Sequence, residues 1–313
     1  MASTMSQAHS TATLGGVPAV IPDIPICAVF LALYAGFAAT NMTIFRVNLR
    51  RGHKFILSAL LFGFCMARIT TLVLRIVWST TPHNLSLAMA ANIFVNAGIL
   101  LVYIINVILS QRILRARQPH IGWNPVIRGA YKALYGLIIG ALAMVITSVV
   151  ISLKTTDPHT KVQCRDVQLA AITYLLVFTC IPLFHLAVAF SLPRAANEES
   201  FGQGSMTSKS LIVAISSCIC VIIAGFKCGT TWSPLRLASN PAWYHSKACF
   251  YVFNFACEIM ALSLLTFSRF DKRFYVPNGC NAPGDYTRLV GGEKPQQEND
   301  EGGNLSSMTP KTS

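Results

Sequence analysis

Seven long apolar stretches, separated by short polar segments, dominate the sequence. They run over residues 22–45, 54–78, 85–110, 130–153, 166–192, 210–232 and 244–270. A bilayer core requires about 20 apolar residues per spanning helix, because unpaired backbone polar groups are too costly in hydrocarbon. The sequence therefore predicts an all-α fold: a polytopic membrane protein with a seven-transmembrane helix bundle.

Composition agrees with a membrane protein and defines the tails. The chain is 53% hydrophobic and 12% charged, whereas a soluble domain is roughly 25% charged. Residues 1–21 are small and polar, and the chain from 278 is rich in Gly, Pro, Glu and Gln. Such segments bury too little apolar surface to fold. We predict a disordered outer tail at 1–21, a transmembrane domain at 22–277 and a disordered cytoplasmic tail at 278–313.

Lysine and arginine divide unevenly between the two sides of this bundle. One side carries 14 of them: Arg46, Arg50, Arg51, Lys54, Arg112, Arg115, Arg117, Arg128, Lys132, Arg194, Lys209, Arg269, Lys272 and Arg273. The other side carries six: Lys154, Lys161, Arg165, Lys227, Arg236 and Lys247. The positive-inside rule then predicts an outer N-terminus and a cytoplasmic C-terminus.

The net charge of +13 follows from these basic loops. Basic residues beside a membrane attract anionic lipid headgroups, so we expect membrane lipids as partners and no nucleic acid. The same inner loops are a possible docking surface for a cytoplasmic signalling partner.

Most of the ten cysteines lie inside apolar stretches, where cysteine acts as a small apolar residue. Cys164 and Cys228 are exceptions, since both fall near the predicted oxidising side. They are the favoured disulfide candidate. Cys27, near the outer end of the first stretch, is the competing partner for Cys164.

Charged residues inside the membrane mark the candidate site. A charge at mid-bilayer costs about 2.5–3.5 kcal/mol even on the lenient insertion scale. Arg68 lies near the middle of the second stretch, and Arg75 follows seven residues later on the same helical face. Arg75 can snorkel outward, but Arg68 is too deep. Glu258, at similar depth in the seventh stretch, is its predicted partner, either as a tie between helices or as part of a switch or ligand pocket.

Further polar residues form a stripe in the third stretch. Asn92, Asn96, Tyr103 and Asn106 share one helical face, and Asn254 accompanies Glu258 in the seventh stretch. Polar side chains in lipid seek partners, so this face is predicted to point into the bundle. The residues serve either as interhelical hydrogen bonds or as a polar ligand site.

Signatures of enzymes are missing from the sequence. It contains no HExxH motif, no Gly-x-Ser-x-Gly around a membrane serine and no Walker-type phosphate loop. The seventh stretch also has no mid-membrane lysine of the kind that binds retinal. We predict no catalytic residues, no metal site and no cofactor.

Several local segments carry a family resemblance. They are ARI at 67–69, RIVW at 75–78, PHN at 82–84, QPHIGW at 118–123, PAWYHSKACFY at 241–251 and FDKRFYVPNG at 270–279. Over residues 43–286 the chain resembles an uncharacterised seven-span family of filamentous fungi, a domain of unknown function sometimes labelled a family-C-like G-protein-coupled receptor. In its seven spans and size it is also loosely similar to the fungal lipid-translocating exporter family.

The expected function is a receptor-like sensor in a fungal membrane, with the plasma membrane favoured over internal membranes. Its ligand is expected to be small or lipidic, to enter from the outer side, and to meet an interior lined by Arg68, Asn92, Asn96, Asn254 and Glu258. The alternative is a lipid-translocating or transport-related protein. A receptor should be closed towards the cytoplasm, whereas a lipid handler should open sideways to the membrane.

Overall fold

The computed structural model describes residues 12–82, 84–195, 197–277 and 279–288. In this part of the chain seven helices are long and apolar enough to cross a membrane. We number them span 1 to span 7: Val20–Arg50, Ile56–Thr80, Ser86–Arg117, Pro125–Ser152, Pro158–Ser191, Met206–Trp232 and Lys247–Phe267. The predicted number of spans and their places in the sequence are confirmed.

The spans pack in chain order around span 3. Each span contacts the next along the chain, and span 7 returns to span 1. Span 3 also contacts spans 5 and 6, and 61% of its apolar window is buried, against 17% for spans 1 and 4. Residues on span 3 therefore lie at the centre of the bundle.

Spans 3 and 7 are not regular helices. Span 3 consists of two helices, Leu85–Ala97 and Leu100–Arg117, with Gly98 at the junction. Span 7 consists of Lys247–Tyr251, a π turn at Val252–Ala256 and a helix at Cys257–Phe267. Such interruptions change which backbone carbonyls are available to side chains, and π turns occur often at functional sites.

Short helices join or follow the spans. Pro119–Gly122 lies between spans 3 and 4, a 3₁₀ turn at Trp243–His245 precedes span 7, and Phe270–Arg273 and Asp285–Arg288 follow it. We call the side on which span 1 begins the N-terminal side of the bundle, and the opposite side the C-terminal side.

The segment after span 7 packs on the C-terminal side. The Glu199 carboxylate accepts hydrogen bonds from the backbone N–H groups of Gly284 and Tyr286, at 2.8 and 2.9 Å, and the Tyr286 side chain is buried. The structure thus differs from the predicted disordered tail over residues 279–288. Residues 289–313 of that predicted tail lie outside the described residues.

The N-terminal segment packs across the opposite side. The N–H of Ala12 donates to the Arg236 carbonyl at 2.8 Å, and the N–H of Gly15 donates to the His245 carbonyl at 3.1 Å. Residues 12–21 therefore differ from the predicted disordered tail at 1–21, and span 1 begins at Val20. Residues 1–11 lie outside the described residues.

Candidate functional site

The predicted pair of buried charges is present. Arg68 Nε donates to Glu258 Oε2 at 2.5 Å, and Arg68 Nη2 donates to Oε1 at 2.6 Å. Both side chains are 0% exposed. The two parallel hydrogen bonds form the bidentate geometry that suits a planar guanidinium and a carboxylate, so the pair joins span 2 firmly to span 7.

Backbone carbonyls next to the break in span 3 accept further hydrogen bonds from Arg68. Its Nη1 donates to the Val95 carbonyl at 2.9 Å and to the Phe94 carbonyl at 3.3 Å. A Cβ atom added to Gly98 would lie 3.3 Å from Arg68 Cζ. The absence of a side chain at Gly98 therefore allows the guanidinium to lie directly against the interrupted backbone.

Span 1 contributes Tyr34 to the same group. Its hydroxyl lies 3.2 Å from the Phe255 carbonyl, in the π turn, and 3.4 Å from Glu258 Oε2. The charged pair thus has neighbours from spans 1, 2, 3 and 7. Because a buried ion pair is tolerated only when its remaining hydrogen-bonding capacity is met, these contacts explain how the pair can lie inside the bundle.

A second cation, Lys227, lies beside the pair. It belongs to span 6, is 5% exposed, and donates from Nζ to the Val95 carbonyl at 3.3 Å. Lys227 lies towards the N-terminal side of the bundle, with the five other basic residues counted there, but it is buried inside span 6. Arg68 and Lys227 share one carbonyl oxygen, which the break in span 3 makes accessible.

A cavity of about 350 Å³ adjoins this group at Lys227 and Val95 and extends towards the N-terminal side of the bundle. Its walls come from spans 3 to 7, and the N-terminal segment and the loop between spans 6 and 7 surround its mouth. Ligand cavities in proteins are typically of about 300–1,000 Å³ and mostly apolar. The volume therefore suits a small molecule.

Several predicted polar residues line this cavity: Asn92, Asn96, Tyr103 and Asn254. The Tyr103 hydroxyl and Asn254 Oδ1 are buried and have no hydrogen-bond partner in the described structure. Asn92 and Asn96 are exposed within their part of span 3, and Asn96 Nδ2 donates to the Asn92 carbonyl at 3.1 Å. Three residues of the predicted stripe therefore line the cavity, whereas the fourth, Asn106, is buried and donates from Nδ2 to Cys220 Sγ of span 6 at 3.3 Å.

The charges that the described residues place around the cavity are all of one sign. Arg165, Lys227 and Arg236 line it, and none of the described aspartates or glutamates does. Burial lowers the pKa of His245, at the mouth, so its imidazole is neutral at pH 7. The cavity is therefore electropositive.

Arg75 belongs to a different cluster and does not snorkel outward as expected. It is 3% exposed, and its Nη2 lies 3.4 Å from Asp23 Oδ1 in span 1. Asp23 also accepts hydrogen bonds from the Tyr251 hydroxyl at 2.6 Å and from Lys247 Nζ. This cluster ties spans 1, 2 and 7 together near their N-terminal-side ends.

We expect Asp23→Asn to destabilise the bundle by about 2–4 kcal/mol, because it leaves Arg75 buried without an anion. Asp157→Asn is the matched control, since Asp157 is exposed and asparagine also caps a helix N-terminus well. The midpoint of thermal unfolding in mild detergent measures both changes. Equal midpoints for the two variants would show that the Asp23 cluster contributes nothing to stability.

The predicted disulfide between Cys164 and Cys228 is not formed, and both are free thiols, as is Cys27. Cys228 Sγ lies 4.0 Å from Thr173 Oγ1 in span 5. Cys164 precedes Thr173 by nine residues, about 13 Å along the helix axis. A disulfide requires Cα atoms within about 7 Å, so this register separates the two cysteines.

The sequence analysis placed neither Lys227 nor Asp23 in a site. Lys227 lies five residues before the end of span 6, on the helical face of Cys220, Ile223 and Ala224, all of them buried. The helical spacing of Lys227 with these apolar residues is the sequence signal that its side chain points into the bundle. Asp23 lies in the first turn of span 1, where a carboxylate usually indicates only solvent exposure and helix-dipole effects.

Comparison with known proteins finds one family. A family model described as "Protein of unknown function (DUF3112)" matches residues 202–275. This segment contains spans 6 and 7, and so both Lys227 and Glu258. Over that segment the chain is similar to an uncharacterised family. No curated protein and no solved structure matches the chain.

Proposed function

We propose that the protein is a receptor-like seven-transmembrane sensor of a small or lipidic ligand in a fungal membrane. The observation that carries the proposal is that Lys227 and Val95 line the cavity, while the Val95 carbonyl also accepts a hydrogen bond from Arg68 of the buried pair with Glu258. A ligand in the cavity would contact Lys227 and Asn254. It would therefore act on the ties between spans 2, 3, 6 and 7.

The break in span 3 and the π turn in span 7 support this mechanism. Both interruptions lie at the ties themselves, where Val95 and Phe255 offer their carbonyls to side chains. Irregular turns of this kind can be rearranged at low cost, because their hydrogen bonds have alternative partners. We infer that the ligand favours one arrangement of these two spans over another.

The C-terminal side of the bundle favours a receptor over a lipid-translocating protein. Below the cavity, His185 links Tyr131 to Ser110 across spans 3, 4 and 5, with contacts of 2.7 and 2.9 Å. At the end of the bundle, Arg112 Nη1 donates to the Phe274 carbonyl at 2.5 Å. These contacts close the helices beneath the cavity, as expected of a receptor that is closed towards the cytoplasm.

The proposal includes an orientation and a location. With the N-terminus outside, as the uneven distribution of basic residues favours, the cavity opens to the exterior of the cell. A plasma membrane location then lets it sample external ligands. The basic C-terminal side would face the cytoplasm and be available to a signalling partner.

Filling the cavity tests the proposal. Val149→Trp places an indole on the cavity wall formed by span 4, while Val150→Trp, at a similarly half-buried neighbour outside the lining, is the matched control. The probes are 4-phenylbutyrate and 4-phenylbutanol, and their binding is measured by saturation-transfer NMR with protein in lipid nanodiscs. We expect Val149→Trp to weaken binding of both probes more than tenfold and Val150→Trp to leave it unchanged.

A second measurement separates receptor from transporter. For a receptor, hydrogen exchange at residues 198–205 and 279–288, on the C-terminal side, should change when a probe binds the wild-type protein. In a separate transport assay, vesicles that contain the protein should not accumulate the probe faster than empty vesicles. Accumulation would favour the lipid-translocating alternative. Binding that is the same in Val149→Trp and wild type would overturn the cavity as the ligand site.

A further inference from the structure

We infer that the cavity selects an anionic amphipathic ligand, with a carboxylate or phosphate monoester head group bound by Lys227 and a short apolar body. The inference rests on the proposed function, because it uses the same cavity. It adds the chemical class of the ligand and the residue that recognises it.

Lys227 is a buried lysine without a counter-ion among the described residues. Its ammonium group carries three donors, and in the described structure its one hydrogen bond is to the Val95 carbonyl. No carboxylate of the described residues lies within ion-pair distance of it. Burying a charge without a counter-ion is costly, so an anion in the cavity would relieve a cost that the empty bundle bears.

The neighbouring carboxylate cannot take this role. Both oxygens of Glu258 accept hydrogen bonds from Arg68. Lys227, which lines the cavity, therefore lies beside a pair whose charges balance each other, and an ammonium group at Lys227 is left without a counter-ion. Arg165 and Arg236 add positive charge nearer the mouth. Low-dielectric walls concentrate such a field and raise the local concentration of anions.

Tyr103 provides a second group for the ligand. Its side chain is 2% exposed, lines the cavity, and has a hydroxyl without a partner in the described structure. A buried hydroxyl that lacks a partner is unfavourable. Because Tyr103 and Lys227 line the same cavity, an anionic ligand that contacts both would remove both costs together.

The remaining walls combine polar side chains, such as Gln168, Thr230 and Thr231, with an apolar part that defines the body of the ligand. The apolar part is formed by Leu14, Ile99, Val145, Val149, Ile172 and Leu175. An inorganic anion would leave these surfaces unfilled, while a neutral molecule would leave Lys227 unpaired. A cationic amphiphile would be repelled by the three basic residues of the lining. The combination of an anionic head and an apolar body satisfies both parts of the cavity.

Four probes of matched shape test the inference: 4-phenylbutyrate, 4-phenylbutyl phosphate, 4-phenylbutanol and 4-phenylbutylamine. Binding is measured in lipid nanodiscs by saturation-transfer NMR, with empty nanodiscs as the background. We expect at least one of the two anions to bind at least tenfold more tightly than the alcohol, and the amine to bind most weakly. The stronger of the two anions identifies the head group.

Substitution of Lys227 assigns the preference to this residue. Lys227→Met keeps the length of the side chain and should reduce anion affinity at least tenfold while leaving alcohol affinity within about twofold. Lys227→Arg should retain the preference. Lys154→Met, which removes an exposed lysine on the same side of the bundle, controls for a general effect of charge and should change neither affinity.

The outcomes separate this inference from the proposed function. If Lys227→Met binds anions as tightly as wild type, or if the wild-type protein prefers the alcohol or the amine, the inference is overturned. Loss of binding in Val149→Trp would then still support the cavity as the ligand site. If no variant changes the binding of any probe, both fail. Alcohol binding also reports folding, because it requires an intact cavity but not Lys227.

Discussion

Replacing Glu258 with leucine should destabilise the bundle by about 3–5 kcal/mol, because it leaves Arg68 buried without its anion. Lys227 makes this loss larger. With Glu258 gone, two cations share the Val95 carbonyl at the centre of the bundle. Arg68→Leu should cost less, since Glu258 then retains Lys227 as a neighbouring cation. This order of effects follows from the charge of the group and not from the size of the side chains.

The double variant Arg68→Leu plus Glu258→Leu should recover much of the loss. Replacing a buried ion pair by apolar side chains of similar volume is often nearly neutral. The destabilisation of the double variant should therefore be well below the sum of the two single losses, which gives a large interaction energy in the double-mutant cycle. Unfolding by sodium dodecyl sulfate from mixed micelles measures the four free energies, and Met260→Leu, at a position 58% exposed on span 7, is the control.

Two results would contradict this account of the pair. Strict additivity would mean that the two side chains do not interact energetically, despite their contact. A larger loss in Arg68→Leu than in Glu258→Leu would mean that Lys227 does not act on the pair. In the second case Lys227 would also be a poor candidate for the head-group site.

The positions of Arg68 and Glu258 near the middle of their apolar stretches were enough to predict that they form a pair. Arg68 and Glu258 lie at similar distances along their helices, and few other residues at that depth could neutralise them. The backbone partners of Arg68 were not predictable in this way. They depend on a helix break at Gly98, and a single glycine in an apolar stretch is compatible with a continuous helix.

Residues near helix ends were predicted less well, because their position in the sequence does not show whether the side chain points into the bundle or away from it. Lys227, Asp23 and Arg75 each lie within about two turns of a span end, and the usual reading of such residues is solvent exposure or snorkelling. In the structure all three are buried. Their orientation follows from the packing of neighbouring helices, which periodicity indicates only weakly.

The disulfide prediction failed for a related reason. Topology correctly suggests that Cys164 and Cys228 lie towards the same side of adjoining helices. It does not fix the register between spans 5 and 6, in which Cys228 lies level with Thr173. Cys164 lies two to three helical turns away from the level of Cys228, which is too far for a disulfide bond.

The contact between the loop before span 6 and the segment after span 7 gives the other large expected effect. Gly202 has φ of +53°, and a Cβ atom added there would lie 2.2 Å from the Arg273 carbonyl oxygen. Next to it, the N–H of Gln203 donates to the Lys272 carbonyl at 3.0 Å. Both partners lie within the segment matched by the family model.

Gly202→Ala should therefore cost about 3 kcal/mol or more, because the added methyl group forces two backbone segments apart as well as straining φ. Gly52→Ala isolates the strain, since Gly52 has φ of +79° with nothing within 4 Å of its added Cβ. Its expected cost is about 1 kcal/mol. Detergent unfolding of the two variants measures the difference in stability. Equal stabilities would show that the loop before span 6 can move away from Arg273 at no cost.

If the C-terminal side relays ligand binding, Gly202→Ala should also abolish the ligand-dependent change in hydrogen exchange at residues 198–205. Probe affinity at the cavity should remain unchanged.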